Sequence, residues 1–214
     1  MANVRRIVRA PVGARNFYLV DACFLANKHI PAVRAPAGHE RRRIEACQEW
    51  WREIDGQLAA RRARVFVPDI CIAEAFKVLA KKYYLQRWFR TPVELDRARK
   101  SLSRDVRTDV RALRVMNRHI RYHDISTNRD IIVGVDRFFE LFLKNKKDVS
   151  VPDLILLATA KHLLEFYDIP KDLLHIVTMD RRVREGCAMV AELPRSYDPT
   201  LAINRAELVF ASAV

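Results

Sequence analysis

The chain has 214 residues, enough for one ordinary domain with an elaborated insert. Half of its residues are hydrophobic, which excludes wholesale disorder and allows a core that needs no staples. Lys and Arg number 39 against 26 Asp and Glu, a net charge of +13, so the surface calls for a polyanionic partner, nucleic acid before an acidic membrane.

Apolar stretches such as 154–160 are far too short to span a bilayer, and no apolar segment follows the first arginines to make a secretory signal. No membrane association and a cytoplasmic setting are therefore expected. The four cysteines, Cys23, Cys47, Cys71 and Cys187, form no CxxC pair and sit among apolar neighbours or helix formers. They are expected to be small buried hydrophobes in a reducing compartment. Neither GxGxxG nor GxxxxGK[ST] occurs.

In chain order, residues 1–15 form a basic arm, and 16–214 are predicted to be one domain. Residues 17–20 form a short apolar strand ending at Asp21, followed by a helix over 22–30 and a Pro-rich loop over 31–38. Helical periodicity runs through 40–62, with Ile44, Cys47, Trp51, Ile54 and Leu58 on one face. A second strand is predicted at 65–67 and a helix at 70–84, with Pro68 as an early helical residue. A basic helical insert spans about 81–118, its helix starting at Pro92 and running through Leu113 and Met116. Then come a weak strand at 120–125, an amphipathic helix at 128–143, an apolar helix at 151–166, a strand at 173–178 and a fifth strand at 189–193. Strands alternating with helices predict βαβ units and a mostly parallel sheet covered on both faces. Ligands bind such sheets beyond the carboxyl ends of the strands.

Four acids fall at that edge: Asp21 after the first strand, Glu74 in the second turn of the next helix, Asp153 at the start of the apolar helix, and Asp180 after the fourth strand. Asp21, Glu74 and Asp153 each interrupt a run that would otherwise be core. Burying ionised carboxylates is costly unless they are paired or hold a metal, and grouped carboxylates raise one another's pKa. Mg²⁺ or Mn²⁺ would resolve both difficulties. The competing explanation is helix capping: Asp21 and Asp180 as N-caps, Ser150 and Asp153 as a capping box.

At these residues the sequence resembles the PIN-domain nucleases. The resemblance is carried by the strand-Asp of 18–21, the segment Val67–Glu74, the segment Asp153–Ala160 and the Thr178-Met179-Asp180 turn. It implies a three-layer α/β/α sandwich and a metal cluster of Asp21, Glu74, Asp153 and Asp180 holding Mg²⁺ or Mn²⁺. It also implies endoribonuclease activity leaving a 5′-phosphate and a 3′-hydroxyl. Thr178 would support a carboxylate or a metal water from behind. Many small members are VapC-like toxins, which implies a cognate antitoxin partner, and a homodimer is implied in the same way. Two features differ: Ala22 and Cys23 stand where the family commonly has a small polar residue and then Asn, and the segments 31–62 and 81–118 are longer than in compact members.

The basic insert suggests how RNA would be held. Between Lys81 and Arg121 the net charge is +9, with Arg87, Arg90, Arg97, Arg104 and Arg111 as the predicted phosphate track. Trp88 and Phe89 are assigned to the core rather than to base stacking. His119 and His123 lie in a strand-like stretch without a Cys partner and suggest no metal site. The alternative is a non-catalytic PIN-like module that binds RNA or builds an assembly. A phosphatase using Asp21 as nucleophile would want a second acid at position 23, where Cys23 stands.

Overall fold

The computed structural model describes residues 15–107 and 122–204. Five strands make one sheet: β1 (Asn16–Val20), β2 (Ala63–Pro68), β3 (Tyr122–Ile125), β4 (Leu174–Val177) and β5 (Arg195–Tyr197). All neighbours are parallel, in the order β3-β2-β1-β4-β5. The central strands β1 and β4 are buried at every position, as a parallel sheet covered on both faces requires.

Seven α-helices are described: α1 (Ala22–Asn27), α2 (His39–Ala59), α3 (Asp69–Tyr84), α4 (Pro92–Val106), α5 (Arg129–Lys144), α6 (Val151–Phe166) and α7 (Arg181–Met189). Their starts are written in local chemistry. Thr91, Asn128, Ser150 and Asp180 each accept a backbone N–H from the first turn of α4, α5, α6 and α7. From β1 the chain steps through β2 to β3, then crosses back to β4 and on to β5. Right-handed crossovers therefore put α1–α4 on one face and α5–α7 on the other. The packing agrees: α1 lies against α2 and α3, and α6 against α5 and α7. The three-layer α/β/α expectation is met.

The first layer is locked by Trp51, whose indole donates to the Phe24 carbonyl (3.0 Å) and stacks on the Phe24 ring. Trp88 and Phe89 are 6% and 2% exposed, so both belong to the core, as expected. Among the described residues no helix is long and apolar enough to cross a membrane.

Several expectations need correction. The fifth strand is not 189–193. Met189 ends α7, and Val190 and Leu193 are apolar because their side chains are buried in the turn that follows. The actual edge strand, β5, is short and polar. Pro68 closes β2 and precedes α3 instead of lying within it. The helix that starts at Pro92 ends at Val106, and Arg107 is extended, just beyond the point where Lys28 holds Asp105 at 3.0 Å. Cys47, Cys71 and Cys187 are buried, but Cys23 is exposed, because position 23 of α1 faces a cleft rather than the core. The arm before Arg15, Arg111, Met116 and His119 lie outside the described residues.

Candidate functional site

Strand order reverses at β1: its neighbour on one side is reached through α1 and α2, and on the other through the long return from β3. In open parallel sheets this switch point leaves a crevice at the carboxyl ends of the strands. Asp21 leaves β1 there, and Thr178 leaves β4 beside it.

Asp21 is 8% exposed, and both of its oxygens are engaged. Oδ1 accepts the Phe24 backbone N–H (2.6 Å), capping α1, and Oδ2 accepts the Thr178 hydroxyl (2.5 Å). Thr178 Oγ1 in turn accepts the Asp180 N–H (2.9 Å), so the two turns are tied together. Burial pushes the Asp21 carboxyl up to about 6, against the lowering effect of these hydrogen bonds, and the charge of Asp153 adds to the rise.

Asp153 stands in the first turn of α6. Its Oδ2 accepts the Ser150 hydroxyl (2.5 Å), while its own N–H points at Ser150 Oγ (3.4 Å). Burial raises its carboxyl above the usual range, and nearby Asp180 adds to this. Asp180 is exposed and caps α7, its Oδ1 accepting the Arg182 N–H (2.6 Å). Glu74, half-buried on α3, takes no hydrogen bond and no ion pair among the described residues. All four acids line one cleft of about 360 Å³. Three of the acids thus serve a helix start or a capping box, and all four line one cleft.

Three arginines line the same cleft: Arg43 from α2, and Arg181 and Arg182 from α7. Arg43 is one of three consecutive arginines, and nothing in that run distinguishes it from its neighbours. Arg181 and Arg182 were discoverable only by their position directly after Asp180. The predicted phosphate track lies elsewhere. Arg87, Arg90, Arg97 and Arg104 are exposed but do not line the cleft, and Arg111 lies outside the described residues. Asp69, near the same edge, is occupied in holding the β3–α5 loop, accepting the Thr127 N–H (3.1 Å).

No family model matches the chain, and no curated protein matches it either. Among solved structures it is similar to the VapBC2 complex from Rickettsia felis bound to a DNA fragment from their promoter. The identity is 9% and the TM-score 0.48, over 85% of this chain and 98% of that one.

Among the described residues, no three His, Cys, Asp or Glu side chains are grouped so that they could hold an ion by themselves. A closed protein cage is therefore not what this cleft offers. The donors are nevertheless hard carboxylate oxygens, and Glu74 and one oxygen each of Asp153 and Asp180 carry no hydrogen bond among the described residues. Mg²⁺ suits such a set, because it keeps several waters and is commonly bound by one or two carboxylates together with substrate phosphate. The donor chemistry fits a hydrated divalent cation shared with a substrate, and does not fit a structural ion.

Proposed function

We propose that this chain is a divalent-metal-dependent endoribonuclease of PIN-like architecture, hydrolysing RNA phosphodiester bonds in the acidic cleft. The observation that carries the proposal is the convergence of Asp21, Glu74, Asp153 and Asp180, from four separate elements, on one crevice at the sheet's switch point. Glu74, Asp153 and Asp180 would hold Mg²⁺ or Mn²⁺. The bound cation supplies Lewis acidity towards phosphoryl oxygens and acidifies a water. Asp21, fixed by Phe24 and Thr178, would place negative charge beside the cation. Thr178 keeps Asp21 in one rotamer and ties it to the Asp180 turn.

Incubation of the purified chain with mixed RNA, with Mn²⁺ and with EDTA, tests this. Cleavage that needs Mn²⁺ and vanishes in Asp153→Asn supports it, and cleavage that persists in Asp153→Asn refutes the assignment. Within this proposal, a VapC-like toxin role with a cognate antitoxin and a homodimeric state follow from the sequence resemblance. A neighbouring open reading frame for a small partner protein is the discriminating observation.

One observation favours a second reading, a non-catalytic RNA-binding or assembly module. Asp21 has no oxygen without a partner, and Asp180 and Asp153 are engaged at their helix starts. RNA binding that is identical in Mn²⁺ and in EDTA, with no product, would establish that reading.

A further inference from the structure

We propose that Arg43, together with Arg181 and Arg182, forms a two-walled guanidinium clamp for the phosphates that flank the reacting bond, so that the clamp, not the helical insert, fixes the register of a single-stranded RNA. The inference rests on the nuclease reading and assigns the phosphate contacts of that same cleft.

The two sides of the clamp come from opposite layers. Arg43 belongs to α2 on one face of the sheet, and Arg181 and Arg182 belong to α7 on the other. Yet all three line the acid cleft between the layers. Arg43 is one-third exposed and is held from behind by a sulfur more closely than by any carboxylate among the described residues. Its Nε lies 3.0 Å from the Met179 sulfur, and Met179 is itself contacted by Cys47 (3.4 Å) and Asn27 (3.7 Å). The nearest acid partner, Glu40, is 4.0 Å from Nη1 and is shared with Lys82 (3.6 Å). The Nη groups of Arg43 find no hydrogen-bond acceptor among the described residues. A part-buried guanidinium is ordinarily paired with a carboxylate. Here the fork is positioned but, among the described residues, is paired only with Glu40, at a loose 4.0 Å and in competition with Lys82.

Arg182 and Arg181 are anchored similarly, each through one donor: Arg182 Nη1 on the Asp148 carbonyl (2.8 Å), and Arg181 Nε on Glu185 (2.7 Å). Each guanidinium has five N–H donors, so both retain a fork for phosphate. Charge balance also requires cations here. A polyanion must come up to four carboxylates, and three arginines in the same lining offset most of that repulsion. The exposed arginines of the insert can raise the local concentration of RNA, but they stand outside the cleft and cannot position a phosphate at the acids.

The test is fluorescence anisotropy with a labelled single-stranded RNA oligomer in EDTA, over a range of salt. Arg43→Gln and Arg182→Gln are each expected to weaken binding about tenfold. Each should also lower the slope of log affinity on log salt by about 0.7. Arg43→Lys should restore the slope but not the full affinity, since it keeps the charge and loses the fork. Lys144→Gln removes one charge from an exposed i,i+4 pair that does not line the cleft and should change affinity by less than about twofold. Arg43→Gln binding like the natural chain, or Lys144→Gln losing as much as Arg43→Gln, overturns the clamp. A thermal melt of each variant accompanies the titration, and the exposed Arg182 keeps the test decisive if Arg43→Gln fails to fold. Because binding is read without turnover, failure of the clamp and failure of Mn²⁺-dependent cleavage are separate results.

Discussion

Asp21→Asn separates a carboxylate placed for stability from one placed for chemistry. Asn caps a helix as well as Asp does, so the bond from Phe24 N–H survives. The buried charge disappears. The rise from an ordinary 3.8 to about 6 means that the ionised form costs the folded state roughly 3 kcal/mol at neutral pH. Against this, the Thr178 hydroxyl must reorient, at a cost of about 1 kcal/mol for one altered hydrogen bond. The net gain is about 2 kcal/mol, or roughly 4–8 °C in Tm for a chain of this size. The sign follows from linkage. Between about pH 4 and 6 the folded chain binds the Asp21 proton more tightly than the unfolded chain does. The group therefore favours folding at the acid end of that window and opposes it above. Thermal melts in EDTA should show Asp21→Asn more stable than the natural chain near pH 8, with the difference shrinking towards pH 4. Mn²⁺ should raise the Tm of the natural chain at about pH 8 and do much less for the variant. A metal-free Asp21→Asn that melts lower near pH 8 would refute the reasoning, because the carboxylate would then be a net stabiliser.

Three further outcomes can be measured. A Cβ at Gly186 would overlap the buried Phe142 ring and lie 3.1 Å from Leu157 Cδ1, so Gly186→Ala should cost about 1–3 kcal/mol in urea unfolding. Arg87 holds φ 55 just after α3, and Arg87→Gly should stabilise by about 0.5–1 kcal/mol, seen as a higher urea midpoint at unchanged m-value. Burial pushes the His29 and His175 rings down to about 4, so the unfolded chain takes up their protons first as pH falls from 6.5. Stability from these two groups is lost on acidification, by on the order of 3 kcal/mol each near pH 4, and exceeds the opposing gain from Asp21. Urea midpoints should therefore fall between about pH 7 and pH 4.5, and His175→Gln should flatten that fall.

Much of the fold was legible because buried parallel strands read as unbroken apolar runs, and because capping residues stand directly before α5, α6 and α7. The edge escaped for the opposite reason. β5 is Arg195-Ser196-Tyr197, half solvated and only three residues long, while the more apolar 189–193 segment is a helix exit that buries Val190 and Leu193. The acids were legible because each of Asp21, Glu74 and Asp153 breaks an apolar run, and contrast of that kind is visible in one dimension. The cleft arginines had no such contrast in a chain with 39 basic residues. Cys23 was misjudged because Ala22 and Phe24 are both core residues, yet the intervening position of a short helix at the sheet edge points into the crevice.

Capping and catalysis do not compete at this edge, because the sheet makes them coincide. The N-termini of α1, α6 and α7 all lie where strands end, and a helix N-terminus favours an anion whether that anion is a cap or a ligand. Asp21, Asp153 and Asp180 would stand where they do under either reading, so a substitution at any of them changes stability as well as any response to metal. Glu74 is different. It lies in the second turn of α3, beyond the capping positions, half-buried in the cleft and without a hydrogen bond or ion pair among the described residues. Nothing in its described surroundings requires a carboxylate there. Glu74→Gln should leave the metal-free Tm unchanged to within about 0.5 kcal/mol of stability. If the cleft is a nuclease site, the same variant should lose both the Mn²⁺-induced rise in Tm and the Mn²⁺-dependent cleavage of RNA. Full metal response in Glu74→Gln would remove the one acid that only the nuclease reading explains, and would leave the cleft as three helix starts that happen to meet.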